Sequence, residues 1–415
     1  MDITTHLGRR RFMAGLAVAG TALGGAGLAG CRTAGATGGT ARLSSRATPL
    51  SAGDLEDALV GSSYLGCGGG GSLGEARELI ARDLADGFAF ARLDAGDLRD
   101  EDRVACPYAL GSTAPESEAA RARLAGYERV EPDFVQRSFA LLQEHLGERF
   151  AAVILGEIGP LSMAEGLSTA ARLGVPALDA DTCGRAVPEI NQHSVRVAGL
   201  SLLPASGVTP LGDEMVLTRV ADPSRPEDVF RAVSTVSELI GVVDSPLTGV
   251  EAKRPGVLVR GSLSLAMRIG AAARAGGIDA ARMAGGGHTL FEGEVRDWEW
   301  EDSEGFLVGR VSLRGTDGFA GRAMELNYKN EFLVARRDGA VVATCPDLIT
   351  LVDAGTAEGV NAPDFARGQR VVVLGFACDP IWRTKAGLEV FSPRYFGYDI
   401  DYVPIEERLA ALASP

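Results

Sequence analysis

The chain has 415 residues, of which 46% are hydrophobic, and this length and composition suffice for two folded domains. They exclude a disordered or fibrous chain. The formal net charge is −14 at pH 7. This excess of acid argues against nucleic acid as a partner, because binding to phosphates requires clustered lysine and arginine.

The N-terminal segment has the pattern of an export signal. Arg9-Arg10-Arg11-Phe12 precedes a run of small apolar residues that ends in Leu28-Ala29-Gly30-Cys31. The arginines are typical of the twin-arginine route, and the last four residues are typical of a lipoprotein cleavage site. The alternative is a transmembrane anchor, but residues 13–30 are short and rich in glycine and alanine. We therefore expect a signal peptide over residues 1–30, lipid on Cys31, a flexible tether over residues 31–51, and attachment to the extracytoplasmic face of the membrane.

Residues 52–200 have the pattern of an α/β domain. Apolar spacing and capping residues predict helices over 54–60 and 74–86, a strand over 88–93, helices over 116–125 and 133–146, a strand over 151–155, a helix over 162–173 and a strand over 175–178. The final strand, helix and strand follow one another closely. This order predicts a parallel βαβ unit with buried strands.

Residues 201–405 form the second predicted domain. It begins with a strand over 215–220 and helices over 226–240 and 262–275. From about residue 288, short alternating strands separated by turn residues predict a β-rich sandwich or barrel-like sheet. Residues 406–415 are expected to form a tail. Besides Cys31, the chain has five cysteines and no CxxC pair, so we expect no disulfide framework.

A glycine-rich loop runs from Gly66 to Gly71, interrupted only by Cys67, and leads into a predicted helix. It satisfies the dinucleotide-binding spacing, but residues 62–65 are too short and polar for the buried strand that should precede it. Ser72 stands where a phosphate-binding loop needs lysine, so we expect no nucleotide. Either the loop is a tight turn that requires positive φ angles, or its backbone N–H groups bind an anion or a developing oxyanion. The second interpretation gives a substrate-binding role to Gly68, Gly69, Gly70 and Gly71.

Cys67 also has two interpretations. Its thiolate, stabilised by the start of the following helix, is a candidate catalytic nucleophile. Alternatively, it is a small buried residue that fits a tight loop.

Charged residues crowd the segment that follows the strand over 175–178. Loops at the carboxyl ends of parallel strands bind ligands in open α/β sheets. Carboxylates there can serve as acid and base or bind a divalent metal, and a guanidinium can hold an anionic group. The alternative is a capped turn with surface salt bridges. The candidates are Asp179, Asp181, Arg185, Glu189 and His193, with Asp179, Asp181 and His193 as possible metal ligands.

Two further sites supply candidates. Glu157 follows the strand over 151–155 and should lie on the same sheet edge as Asp179, so the two carboxylates can form an acid and base pair. The alternative for Glu157 is a solvated loop residue. Asn330 and Glu331 place polar groups within apolar surroundings, which makes them candidate substrate-binding residues.

Several motifs in order along residues 52–405 resemble one family. They include "LGCGGGGS", "GEIGP", "GVPALDADTCGRAVPEI" and "GLEVFSPRYFGYDIDYVPI". These segments resemble the S-methyl thiohydantoin desulfurase family. The resemblance implies an N-terminal α/β domain and a C-terminal β-rich domain. It also implies hydrolysis at a ring carbon that bears a methylthio group, with release of methanethiol and formation of a hydantoin.

On this resemblance, the glycine loop is expected to stabilise the reaction intermediate. Asp179, Asp181 or Glu157 would act as base and acid, and Arg185 would hold a substrate carboxylate. A different class of function is a lipid-anchored protein that binds a small molecule without catalysis. A third is an inactive relative whose acids only cap loops. Clustering of the acids with the glycine loop would favour the enzyme.

Overall fold

The computed structural model describes residues 46–112, 118–129 and 134–413. The helices are α1 (Ala52–Leu65), α2 (Leu73–Ala85), α3 (Glu118–Leu124), α4 (Phe134–Leu146), α5 (Pro160–Leu173), α6 (Ser194–Val197), α7 (Arg225–Ser237), α8 (Gly249–Ala252), α9 (Ser262–Ala284), α10 (Lys385–Val390) and α11 (Ile405–Ala413). The strands are β1 (Thr48–Pro49), β2 (Ala91–Leu93), β3 (Arg103–Gly111), β4 (Ala152–Leu155), β5 (Ala177–Asp181), β6 (Ala205–Val208), β7 (Glu214–Leu217), β8 (Leu239–Thr248), β9 (Val259–Arg260), β10 (His288–Ser303), β11 (Phe306–Gly315), β12 (Ala323–Lys329), β13 (Glu331–Arg337), β14 (Ala340–Thr344), β15 (Leu348–Asp353) and β16 (Arg370–Phe376).

The first sheet is mixed, with nine strands in the order β1-β2-β5-β4-β3-β8-β6-β7, and β9 pairs with β5 off this path. Its centre is parallel, because β2, β5, β4 and β3 pair in that sense. The predicted α/β class with a parallel βαβ unit, β4-α5-β5, is confirmed. Strands from both sides of residue 200 hydrogen-bond within this one sheet.

Strand β8 extends the sheet in the antiparallel sense. It pairs with β3 from Arg103 opposite Thr248 to Gly111 opposite Leu239. The predicted helix over 226–240 ends at Ser237, and the strand that follows was not predicted. Asp244 and the Ser-Pro pair after it interrupt the apolar run, which hides the strand in the sequence.

The second sheet contains seven antiparallel strands in the order β14-β13-β12-β11-β10-β16-β15 and curls into a half-barrel. It begins at His288, and the predicted β-rich, barrel-like character is confirmed. The two sheets share one apolar core. Helices α1, α5 and α9 pack there against Leu333, Leu348 and Leu374 of the second sheet.

The ends of the described chain pack onto the fold. Thr48–Pro49, in the last part of the predicted tether, pairs with β2, and Leu50 is buried. Helix α11 begins at Ile405, which is buried, where the sequence predicts the start of a tail. The predicted signal peptide and Cys31 lie outside the described residues. Among the helices that are described, none has both the length and the apolar surface needed to cross a bilayer.

Helices α1 and α9 cross in backbone contact. A Cβ atom on Gly61 would lie 1.7 Å from the Ala266 carbonyl oxygen, and one on Gly270 would lie 1.8 Å from the Asp57 carbonyl oxygen. Both positions therefore exclude any side chain. Because α1 leads directly into the glycine loop, this crossing fixes where the loop begins.

Replacement of Gly61 with Val should destabilise the protein by at least about 2 kcal/mol, because the helices must separate to admit the side chain. Chemical denaturation followed by circular dichroism measures the change. The matched control is Gly53→Ala in the same helix, where the added Cβ meets only Ser51 Oγ at 3.6 Å. It should leave stability unchanged or raise it slightly. Equal stability of the two variants would contradict the proposed helix contact.

Candidate functional site

The glycine loop lies between the two sheets and is a tight turn. Gly68, Gly70 and Gly71 have φ angles of 86°, 70° and 79°, and Cys67 has a φ angle of 51°. These are left-handed conformations that favour glycine. Residues 62–65, before the loop, belong to helix α1. The strand that a dinucleotide-binding loop requires is therefore replaced by a helix.

The carbonyl groups of the loop join three parts of the fold. Gly70 O accepts hydrogen bonds from the first backbone N–H groups of α5, at 2.8 Å and 3.2 Å. Cys67 O accepts from Phe332 N at 2.7 Å, and Gly68 O accepts from Ala362 N at 2.8 Å. The start of α5, which could have bound an anion, is thus capped by the loop itself.

The Cys67 side chain is fully buried. Its Sγ donates to Leu65 O at 3.3 Å. Burial raises the pKa of this thiol, although the nearby Arg185 charge partly offsets the effect. A thiolate is the form that acts as nucleophile, so this environment favours the packing interpretation of Cys67.

Glu331 directs its carboxyl group at the glycine loop. A Cβ atom on Gly69 would lie 1.8 Å from Glu331 Oε1, so the glycine leaves the space that the carboxyl group occupies. Glu331 is 2% exposed, and its Oε2 has no hydrogen-bond partner among the described residues. Burial, together with the negative charge of Glu157, raises the pKa of Glu331 well above its ordinary value.

Glu157 lies beside the same group at the carboxyl end of β4. Its Oε1 accepts a hydrogen bond from Ser162 Oγ at 2.7 Å, and its Oε2 accepts from Val187 N at 2.8 Å. These bonds hold the side chain in place at the start of α5. Burial raises the pKa of Glu157, and the hydrogen bonds and the Arg185 charge reduce that shift.

Arg185 is a fully buried guanidinium whose hydrogen bonds go to backbone carbonyls. It donates to Ala186, Pro346, Asp347 and Phe332 at 2.9 to 3.4 Å and stacks on a phenylalanine ring. Most of its donors therefore bind the second domain. This leaves little capacity for the substrate carboxylate that the sequence assigned to it, while its charge still acts on Glu331 and Glu157.

Asp181 ends β5 and is fully buried. Its Oδ2 accepts from Cys183 N at 2.9 Å and Gly184 N at 2.6 Å, while its Oδ1 has no hydrogen-bond partner among the described residues. Burial raises its pKa to about 7. A carboxyl group with this pKa can take up or release a proton near neutral pH.

Asp179 lies apart from this group. Its Oδ1 accepts from Ser264 N at 2.9 Å, in the first turn of α9, and its Oδ2 pairs with Arg92 at 2.8 Å. The side chain therefore caps α9 and links it to β2. These partners occupy both carboxylate oxygens of Asp179, and the expected acid and base pair with Glu157 stays a prediction.

Glu189 and Asn330 also have structural partners. Glu189 pairs with Lys329 at 2.5 Å and accepts from Tyr395 Oη at 2.6 Å, and the Lys329 charge contributes to lowering its pKa. Asn330 has a φ angle of 58° and its Oδ1 accepts from Leu307 N at 2.9 Å. This turn between β12 and β13 presents the neighbouring Glu331 to the glycine loop.

One acid in this region was missed from the sequence. Glu165 lies on α5. Burial, with a smaller contribution from the negative charge of Glu157, raises its pKa to about 8. The sequence of this helix, which is mostly small and apolar, predicts that Glu165 is an ordinary exposed acid. Only the packing of α5 against β3 and β4 reveals its environment.

The fold and this site define a two-domain α/β protein that buries a cluster of carboxyl groups against a glycine loop at the junction of its sheets. Residues 53–219 match the S-Me-THD-like, N-terminal domain, and residues 221–405 match the S-Me-THD-like, C-terminal domain. The chain therefore belongs to the S-methyl thiohydantoin desulfurase-like family.

A similar solved structure supports the fold. The X-ray crystal structure of a protein from Chromobacterium violaceum has a TM-score of 0.67 and 24% sequence identity, covering 86% of this chain and 100% of that one. At this identity the likeness shows the fold alone. No curated protein gives a match.

Replacement of Asp181 with Asn should change how stability depends on pH. Because the folded pKa is raised to about 7, the wild-type protein binds an extra proton between about pH 4 and pH 7. The contribution of Asp181 to the free energy of unfolding is therefore fully present below pH 4. It decreases by up to about 4 kcal/mol as the pH rises to 7. Asp181→Asn should remove this loss, as measured by urea denaturation from pH 4.5 to pH 8.

The control is Asp399→Asn, which alters a side chain that is 95% exposed. It should reproduce the wild-type pH profile. A profile for Asp181→Asn that runs parallel to the wild type would show that Asp181 is ionised in the folded protein throughout this range.

Proposed function

We propose that the protein is a hydrolase that acts on a small cyclic amide, such as an S-methyl thiohydantoin or a hydantoin. The observation that carries the proposal is the Glu331 carboxyl group, which is buried against the glycine loop beside Glu157 and whose Oε2 has no hydrogen-bond partner among the described residues. Buried groups without partners cost stability, and they are found where function requires them. Membership of the S-methyl thiohydantoin desulfurase-like family supports the choice of this substrate class.

In the proposed reaction, water attacks the ring carbon that bears the methylthio group. Asp181, with its pKa near 7, accepts the proton of the attacking water. Glu331, whose pKa is raised well above its ordinary value by burial, donates a proton to the leaving sulfur as the carbon–sulfur bond breaks. The second proton of the water passes to the ring nitrogen as the carbonyl forms, and the proton held by Asp181 returns through solvent to Glu331. The products are methanethiol and a hydantoin.

Substrate entry requires movement in this proposal. Glu331 and Asp181 are both buried in the closed structure. The glycine loop and the turn between β12 and β13 are joined by the hydrogen bond from Phe332 N to Cys67 O. Separation of these two segments opens a path to both acids, and closure around the substrate excludes water from the reaction.

The binding-protein alternative expects two similar βαβ lobes. The second half of the chain is instead an antiparallel sheet that shares a core with the first. This arrangement gives the alternative no specific support, whereas the buried acids favour chemistry.

Replacement of Glu331 with Gln should lower kcat at least about 100-fold, because glutamine cannot donate a proton to the leaving group. The assay incubates the purified protein with a panel of S-methyl thiohydantoins and hydantoins and follows free thiol and ring opening. Glu101→Gln, at a side chain that is 71% exposed, is the control and should retain full activity. Unchanged kcat in Glu331→Gln would remove Glu331 from the mechanism. Calorimetric binding without turnover by the wild type would favour the binding-protein alternative.

We further propose that the protein is exported by the twin-arginine route and anchored through lipid on Cys31. The support is the N-terminal sequence alone, with its arginines and its Leu-Ala-Gly-Cys site. Lipid attachment together with a short linker would hold the folded domains beside the membrane surface.

Replacement of Cys31 with Ser should move the protein from the membrane fraction to the soluble fraction, because the thiol that carries the lipid is lost. Cell fractionation and labelling with a radioactive fatty acid measure this. Thr33→Ser, two residues away, should remain in the membrane fraction with its label. Membrane attachment of both variants would contradict lipidation at Cys31.

A further inference from the structure

Three buried residues from distant parts of the chain meet on one side of the first sheet. Cys106 of β3 lies directly opposite Asp244 of β8, and directly opposed residues of antiparallel strands point to the same face. His193, just before α6, contacts Asp244, with 3.4 Å between Nε2 and Oδ1. Ligand atoms of the three residues all lie within 4.8 Å of one another.

A bulge in β8 brings these side chains together. Between Val104 and Cys106 the register with β8 shifts by one residue, and Ser245 adopts a φ angle of 50°. A bulge re-aims the side chains beside it. Here it places Asp244 across from Cys106.

One ligand atom of this cluster is buried without a partner. Asp244 Oδ1 has no hydrogen-bond partner among the described residues, and the Asp244 side chain is 2% exposed. Burial of such an atom without a partner destabilises the folded protein. Unpaired buried groups of this kind indicate a missing water or ion.

The donor set and its geometry suit a zinc-type ion. Thiolate, imidazole and carboxylate are the ligands that zinc uses in proteins. Two ligands bound at about 2.0–2.2 Å in a tetrahedron are roughly 3.3–3.6 Å apart, and the His193 to Asp244 distance of 3.4 Å falls in that range. Because all three ligand atoms lie within 4.8 Å of one another, Cys106 Sγ needs a shift of at most about 1 Å to complete the set.

A neighbouring residue orients the carboxylate. Tyr108, two residues from Cys106 on the same face of β3, donates its hydroxyl to Asp244 Oδ2 at 2.7 Å. This bond leaves Oδ1 as the free ligand atom. Partners of this kind outside the ligand set fix metal-binding carboxylates in place.

We propose that Cys106, His193 and Asp244 bind a divalent zinc-type ion with one coordination position left for water. Three protein ligands and an open position are typical of catalytic rather than structural zinc. The charges of Asp181 and Glu157 reach Cys106, so the ion lies near the carboxyl cluster. Metal binding at this site stands apart from the proposed hydrolysis and is measured without any substrate.

The test is metal analysis of the full-length protein, purified in detergent from cells grown with added zinc. We expect about one zinc ion per chain, measured by inductively coupled plasma mass spectrometry. After removal of the metal with a chelator, cobalt(II) should give the near-ultraviolet charge-transfer absorption of a cobalt–thiolate bond. Cys106→Ser should abolish this absorption and lower zinc content at least tenfold. The matched control, Cys345→Ser, alters another fully buried thiol. It should keep both the cobalt–thiolate absorption and the zinc content of the wild type.

Thermal unfolding with and without added zinc provides a second readout. Zinc should raise the Tm of the metal-free wild type and of Cys345→Ser, and should leave the Tm of Cys106→Ser and Asp244→Asn unchanged. If Cys106→Ser fails to fold, the wild-type stoichiometry and cobalt spectrum decide the question. A wild-type protein that takes up neither metal, or a cobalt–thiolate absorption that persists in Cys106→Ser, would overturn the proposal.

Discussion

Burial of carboxyl groups where cations are scarce is the constraint on which this structure depends. Glu331 and Glu157 lie beside the glycine loop, Asp181 ends β5, and burial raises the pKa of each. Arg185, whose charge acts on Glu331 and Glu157, gives its hydrogen bonds to backbone carbonyls. Ionising several of these acids together would place like charges in a poorly solvated space, so protons must neutralise part of the cluster. Acids with raised pKa values are equipped for proton transfer near neutral pH.

The glycine loop and the acids form one unit. The space beside Gly69 is filled by the carboxyl group of Glu331, and Gly70 packs against the Gly159 backbone next to Glu157. Side chains at these loop positions would displace the acids from the places they occupy. The loop follows α1 directly, and its carbonyl groups accept hydrogen bonds from α5, from Phe332 of the second sheet and from Ala362. The same glycines therefore assemble the two domains and shape the space around the carboxyl cluster.

The sequence predicted the fold class well, because periodic apolar spacing marks the βαβ unit and the alternating strands of the second sheet. It missed β8, since Asp244 and the Ser-Pro pair after it break the apolar pattern that identifies a strand. It singled out Glu157, Asp181 and Glu331, which the structure buries, and it expected Glu157 to pair with Asp179. Asp179 instead caps α9, a contact between residues 85 positions apart that spacing along the chain cannot reveal. Cys106, His193 and Asp244 likewise share no short motif, because a strand register and a bulge bring them together.

The central claim is that the buried carboxyl cluster keeps protons at neutral pH. Infrared spectroscopy measures this directly, because a protonated carboxyl group has a carbonyl stretch separate from that of a carboxylate. We predict that the wild-type protein at pH 7 shows the protonated carboxyl band, shifted by deuterium exchange, and that Glu331→Gln reduces it. A wild-type spectrum at pH 7 with only ionised carboxylates would contradict this account.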